Sequence, residues 1–286
     1  MSLFRYPGGK TKLFNIILQK LKERIKNNNI IEYREPFLGG GSICQYFLKA
    51  NPLWDKIWIN DIDIGIACLW TSILNYPDQL KQKVNDFVPN VSIFHDFKRE
   101  LLLNKTFPVS SKDVIEYGFK KFVVHQLSYS GLGVKAGPLG GDRQDSKYKI
   151  DCRWYPKNIC SKIGRTHLMM SCFDVRYNKC SCLDFESMII DEDCRAIIYL
   201  DPPYYVKGNE LYQYSFSVED HQRLSNLLKH TSHKWVLSYD DCPFIKELYS
   251  WANLEFIDVT YSINRSKEKK LNKAPNKKAE LIITND

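Results

Sequence analysis

The sequence predicts an α/β fold, a parallel sheet covered by helices and interrupted by a partly helical insertion. Three observations lead there. Short apolar runs alternate with segments of helical periodicity. One run, IIEY at 30–33, leads directly into a triple-glycine turn, a helix and a second run, IWIN at 57–60. The alternation breaks off near residue 66 and resumes near 167. A strand, glycine loop, helix, strand succession is the unit from which parallel sheets are built.

Taken in order, Phe14, Ile17, Leu18, Leu21 and Ile25 recur at helical spacing and predict an amphipathic helix over 12–26. Ser42 can cap a helix that runs to about residue 49. Helical segments follow near 66–75, 78–87 and 111–128, and then SGLGVKAGPLGGDRQDSKYK at 130–149. A glycine-rich, basic connection of that length is more often functional than filler. These changes of texture assign 1–67 and 169–286 to one domain and 68–168 to an inserted one.

The alternation resumes with HLMMSCF at 167–173, CSCLDF at 180–185, a short helix from near Asp184, and the strand AIIYL at 196–200. Ser217 with Asp220 predicts a capping box for a helix through 229. KWVLSYD at 234–240 and LEFIDVTYSI at 254–263 read as strands, and AELIITN at 279–285 as a partner of the second. Their connection carries seven basic residues against one acid between Arg265 and Lys278.

A chain of 286 residues can bury a large core, and its formal charge of +8 favours a polyanionic partner. No apolar run approaches the roughly 20 residues that cross a bilayer, and no signal peptide opens the chain, so a soluble cytoplasmic or nuclear protein is expected. Nine cysteines are an odd number and argue against a disulfide framework. Five of them, Cys152, Cys160, Cys172, Cys180 and Cys182, lack paired CxxC spacing, so buried small apolar side chains are expected there rather than a metal site.

EPFLGGGS at 35–42 follows IIEY immediately. Adjacent glycines let backbone N–H groups approach a ligand, and the helix behind them offers its positive end. A tight turn for helix packing is the plain alternative. Asp61 ends IWIN about 20 residues beyond the glycines, where an acid can accept both hydroxyls of a ribose; an exposed helix cap would look the same. Asp184 and Phe185 stand in a similar position, an acid for an adenine amine beside a ring for its face, although a core Phe next to a capping Asp is ordinary.

DPPY at 201–204 ends AIIYL, at the carboxyl edge where such sheets bind ligands. Its prolines lack N–H donors and fix φ, which leaves the Pro202 carbonyl as a rigid acceptor beside the Asp201 carboxylate. Two adjacent acceptors suit an aromatic amine with two hydrogens to give, and Tyr204 can stack the ring that carries it. Accepting both hydrogens returns electron density to nitrogen, and the negative charge stabilises the positive nitrogen formed on alkylation.

RYPGGK at 5–10, EPFLGGGS and DPPY, in this order with a variable region before DPPY, resemble the motifs of the Dam-like DNA adenine-N6 methyltransferases (D12 class, alpha group). LDFESM at 183–188 is similar to their cofactor-adenine position and AELIITN to their last core strand. The resemblance implies a Rossmann-like S-adenosylmethionine-dependent methyltransferase fold with a mixed seven-stranded sheet and an inserted, mainly helical target-recognition domain. It implies a cofactor pocket of Tyr6, Lys10, Phe37, Gly39, Asp61, Asp184 and Phe185, with Tyr6 and Lys10 at the methionine end, and a catalytic set of Asp201, Pro202 and Tyr204. Double-stranded DNA is then the partner, with a cognate restriction endonuclease as a candidate second one.

An adenine inside a duplex must be flipped to reach a sheet edge. The insertion supplies Tyr129, Ser130, Lys135, Arg143, Lys147 and Lys149, cations interleaved with aromatics, and Arg265, Lys269, Lys270 and Lys273 add a second basic segment. LSYSGLG has Ser130 where the family segment carries asparagine, and the next cation is Lys135, departures that put a GATC target in doubt. The same chemistry would serve an RNA or free-nucleobase methyltransferase. A catalytically silent DNA-binding module should have lost a pocket acid or glycine, and none is missing.

Overall fold

A computed structural model describes residues 3–7, 10, 13–26, 29–50, 56–103, 106–206, 208, 213–260 and 277–285. Its centre is a seven-stranded sheet in the order β3-β2-β1-β4-β5-β7-β6, built from β1 (Glu32–Glu35), β2 (Lys56–Ile59), β3 (Asp174–Val175), β4 (Ala196–Leu200), β5 (Lys234–Asp240), β6 (Asn253–Thr260) and β7 (Lys277–Thr284). β3, β2, β1, β4 and β5 pair in parallel, whereas β7 runs antiparallel to both β5 and β6. The expected mixed seven-stranded sheet is therefore present. Strand order reverses between β1 and β4, and the crevice above such a switch point is where open α/β sheets bind ligands.

AIIYL and KWVLSYD form β4 and β5 over the residues expected, because continuous burial of apolar side chains marks a central parallel strand. β1 lies two residues later than IIEY, as Glu-Tyr-Arg-Glu, and all four residues are buried. Charge enters this strand because it is paired. On one face Arg34 Nε donates to Glu32 at 2.6 Å and Nη2 to Asp191 at 2.8 Å, with Arg176 bridging the same two acids. On the other, the Tyr33 hydroxyl donates to Glu35.

The flanking helices are α1 (Phe14–Ile25), α2 (Ser42–Ala50), α3 (Ile64–Asn75), α4 (Pro77–Asp86), α5 (Val91–Leu103), α6 (Ser111–Leu127), α7 (Pro156–Met170), α8 (Glu186–Ile190), α9 (Val218–His230) and α10 (Pro243–Leu248). The Ser217–Asp220 capping box opens α9 as expected. Two sequence expectations are corrected. HLMMSCF is no strand: Ile159, Ile163, Thr166 and Met170 form the buried stripe of α7, so Leu168 to Met170 close a helix. CSCLDF contributes one isolated bridge, Ser181 to Asn60, because the Asn60 side chain takes over the pairing with Leu183 N–H and carbonyl. α5 had no counterpart in the sequence reading, and of its residues only Phe94 and Leu101 are buried.

The described part of the insertion is helical, with α6 packed against α3 so closely that a Cβ on Gly118 would sit 2.6 Å from the Leu69 nitrogen. The 130–149 connection is ordered by its own backbone. Tyr129 N–H donates to Gly137 at 2.9 Å and Leu139 N–H to Leu127 at 2.8 Å, which folds the stretch back against the end of α6. All nine cysteines are free; of the five expected to be buried, only Cys180 is, whereas Cys152, Cys160 and Cys182 are half-buried and Cys172 is exposed.

Candidate active site

A cavity of about 660 Å³ opens at the carboxyl ends of β1, β2 and β4. Its wall brings together Tyr6, Lys10, Phe37, Gly39, Asp61, Asp184, Phe185 and Asp201, residues that span most of the chain, and Ser130 reaches it from the insertion. Pro203 also lines it, while Pro202 is buried and Tyr204 half-buried.

The glycine turn is held from three sides. Gly39 has φ +48° and donates its N–H to Asp61 Oδ2 at 2.8 Å, while its carbonyl accepts the Trp70 indole N–H at 3.0 Å. A Cβ at Gly39 would stand 2.6 Å from the Tyr6 ring, so a glycine is required for the N-terminal segment to close over the turn. Asn60 fastens the rest: Nδ2 donates to the Pro36 and Leu183 carbonyls at 3.1 and 2.9 Å, which ties the end of β1 to the segment carrying Asp184 and Phe185.

Asp61 is 7 % exposed and also accepts the Asp63 N–H at 2.9 Å. Burial, and then the charge of Asp63, push its carboxyl up to about 7. Asp63 in turn pairs with the buried Lys121 ammonium from α6, which also donates to Gln213 at 2.9 Å. His125, beneath Tyr6 with ring centroids 5.1 Å apart, is held neutral by burial and by Lys121, its pKa down to about 3.

Phe37, Phe185 and Phe216 line the cavity in mutual contact, with centroid separations of 5.3 to 5.7 Å, an apolar surface on which a flat ring can pack. Asp184 is gripped by Arg223 through both oxygens, at 3.0 and 2.8 Å, and the same guanidinium lies 4.4 Å from the Phe185 centroid. Arg223 was missed in the sequence; it lies 39 residues from Asp184 on the exposed side of α9, and no spacing connects them.

At the opposite end the Lys10 ammonium lies 2.8 Å from Asp201 Oδ1, and Ser238 donates to the same oxygen at 3.1 Å. Burial raises the Asp201 carboxyl above the usual range, and Lys10 works against that rise. Burial raises Glu35 well above its ordinary value too, with Asp201 and Asp61 contributing through their charges. Glu35, Asp61, Asp63 and Asp201 line the cavity with carboxyl groups, Asp63 paired with Lys121 and Asp201 with Lys10. Tyr204 donates its hydroxyl to Glu280 at 2.8 Å, a contact for which the lone acid within AELIITN was the available signal.

Among the other residues singled out, Tyr129 is 68 % exposed, and Lys135, Arg143, Lys147 and Lys149 are exposed along the folded-back connection. Lys149 donates to the Gln144 carbonyl. Arg5, not singled out, lines the cavity beside Ser130, donates to the Ser128 carbonyl at 3.2 Å, and is depressed in pKa by burial and the neighbouring Arg153. Arg265, Lys269, Lys270 and Lys273 lie outside the described residues.

Sheet order, switch point and glycine turn define a Rossmann-like methyltransferase fold with an inserted helical subdomain. Within it, the chain belongs to the D12 class N6 adenine-specific DNA methyltransferase family, whose model matches residues 6–112 and 153–263. It is 24 % identical over 288 residues to the Type II methyltransferase M.MjaIII of Methanocaldococcus jannaschii, covering 93 % of each chain. It is 23 % identical over 255 residues to the Type II methyltransferase M.CviBI of Paramecium bursaria Chlorella virus NC1A, covering 86 % of this chain and 85 % of the relative.

Proposed function

We propose that the protein methylates N6 of an adenine flipped out of duplex DNA, with S-adenosylmethionine as donor and no covalent enzyme intermediate. The observation that carries this reading is the shared cavity, in which Asp201 and the Gly39–Asp61 turn face one space. The residues fit the cofactor: Asp61 offers acceptors for ribose hydroxyls, and the Phe37–Phe185–Phe216 cluster offers an apolar face for a purine. When bound, S-adenosylmethionine supplies an electrophilic methyl group. Tyr6 and Lys10 are assigned to its methionine end, and Asp184 with Phe185 to its adenine.

Asp201 and the Pro202 carbonyl hold the two hydrogens of the target amine, and Tyr204 stacks its ring. Lys10 now stands on both Asp201 and the Tyr204 face, so it gives way when the base enters. No base is needed before attack, because the amine's proton can leave once nitrogen is positive. Residues 68–168 are assigned to target recognition, with Tyr129 and Ser130 nearest the cavity. Lys135, Arg143, Lys147, Lys149, Arg265, Lys269, Lys270 and Lys273 are assigned to phosphates or bases.

Labelled-methyl transfer to matched duplex DNA, single-stranded DNA and RNA, followed by mapping of the modified base, tests this. N6-methyladenine in the duplex is expected. Methylcytosine would refute the base assignment, and transfer confined to RNA would move the protein to a different substrate class.

A further inference from the structure

Two carboxylates behind the cavity hold the segment that carries the Tyr204 ring. Asp240 ends β5, and Glu280 lies directly opposite it in the antiparallel register with β7. Asp240 accepts the Tyr205 N–H through Oδ1 at 3.1 Å and the Val206 N–H through Oδ2 at 2.9 Å. Glu280, 6 % exposed, accepts the Tyr204 hydroxyl. Three consecutive residues are thus fastened to two facing positions of the sheet, two by backbone and one by side chain.

The turn is braced further. Gly208 N–H donates to the Tyr204 carbonyl at 2.7 Å. The Tyr205 ring stacks on Phe244 with centroids 4.4 Å apart and planes inclined by 24°, and His221 meets its edge at 5.4 Å. Like charges directly opposite each other on antiparallel strands destabilise a sheet. An acid pair at this register is therefore a cost that the donors of residues 204–206 offset. A pair chosen for sheet stability alone would not be two acids.

Resting on the adenine-methylation reading above, we infer that Asp240 and Glu280 are positioning residues that set the tilt of the Tyr204 ring and the course of residues 204–206. They act through Tyr204 and do not touch the base. Asp240 locates the backbone after the motif, and Glu280 anchors the hydroxyl tip of the phenol and so sets the tilt of the ring toward the base.

The test is single-turnover methylation of a defined duplex by Glu280→Ala, Glu280→Gln, Tyr204→Phe, the Glu280→Ala/Tyr204→Phe double variant and Asp240→Ala. Cofactor affinity is measured by calorimetry, and base extrusion by 2-aminopurine fluorescence at the target. Glu280→Ala and Tyr204→Phe should each slow transfer roughly tenfold, and Asp240→Ala roughly ten- to a hundredfold, as small misplacements of reacting groups do. The double variant should be no slower than either single one. Glu280→Gln should stay near the wild type, because its amide carbonyl still accepts the phenol hydrogen. Calorimetry should return the wild-type cofactor affinity throughout.

Losses that multiply in the double variant, or wild-type rates in both Glu280→Ala and Asp240→Ala, would overturn the inference. Should the wild type methylate no substrate, the functional reading fails and the clamp is still decided by hydrogen exchange. The Tyr205 and Val206 amides are expected to lose protection in Asp240→Ala, and unchanged protection rejects the clamp.

Discussion

The Nζ of Lys10 lies 2.8 Å from Oδ1 of Asp201, and the same atom stands 4.4 Å from the centroid of the Tyr204 ring. One ammonium therefore occupies both features that the proposed target base would use, the acceptor for its amine and the face for its ring. It also opposes the protonation that burial favours at Asp201. An unpaired buried carboxylate would take up a proton, and a protonated acid cannot accept two N–H bonds in the same way.

Replacing Lys10 by Met should move the acid limb of kcat/KM for methylation, which reports the free enzyme, to higher pH. The sign follows from the causes at Asp201: burial raises its pKa and Lys10 lowers it, so losing Lys10 leaves the rise unopposed. Transfer that needs the carboxylate then reaches its plateau at a higher pH. A pH–rate profile superimposable on that of the wild type would remove Lys10 from control of the acid.

Asp201→Ala should lower single-turnover methylation by roughly 10²-fold or more, the size seen when a group that stabilises developing charge is removed. Cofactor affinity should be spared, because the interaction matters chiefly in the transition state. Near-normal transfer by the folded variant would sink the mechanism.

Asp61 should make both stability and cofactor affinity depend on pH around neutrality. Its folded pKa, about 7, lies above the ordinary value of 3.8. Its contribution to stability is therefore fully present below the ordinary value and lost as pH rises through about 7. Ribose hydroxyls donate, so they favour the anion, and cofactor affinity should climb over the same interval. Calorimetry and chemical denaturation of Asp61→Asn should lack both trends; if the variant retains them, another group is responsible.

Neutralising Arg143 and Lys147 together should weaken every duplex alike and reduce the salt dependence of binding by up to about two units of log–log slope. Neutralising Lys269, Lys270 and Lys273 should reduce it by up to about three. Binding titrations across a salt series measure both, and an unaltered slope would place the segment concerned away from the phosphates.

Arg34→Met should destabilise the fold by about 3–5 kcal/mol, the cost of stripping one partner from a buried ion network. Arg34 is fully buried, and its loss leaves Glu32 and Asp191 facing each other's charge with Arg176 alone between them. Urea denaturation at neutral pH is the measurement. A loss below about 1 kcal/mol would mean that Arg176 suffices, as it would in an exposed pair.

Legibility differed by the range of the interactions involved. AIIYL and KWVLSYD became β4 and β5 as read, because a run of buried apolar residues needs no information from elsewhere. The capping box at Ser217 and Asp220 was equally local. β1 was placed two residues early because Glu32 and Arg34 look like surface residues until Arg176 and Asp191, more than a hundred positions away, are brought against them. α7 was misread for a related reason: its apolar stripe faces α4 and α3 and has meaning only once those helices are in place.

The motifs themselves, with the Gly39 turn, Asp61, Asp184 and Asp201, could be found in the chain because each is a short string whose chemistry is carried by adjacent atoms. Their convergence on one cavity was decided by the tertiary structure. It set Lys10 on Asp201, closed Arg223 over Asp184 and placed Glu280 beneath Tyr204. A hydrogen bond fixes a distance of about 3 Å between atoms, and only the strand order and register of the finished sheet bring residues so far apart in sequence within that distance.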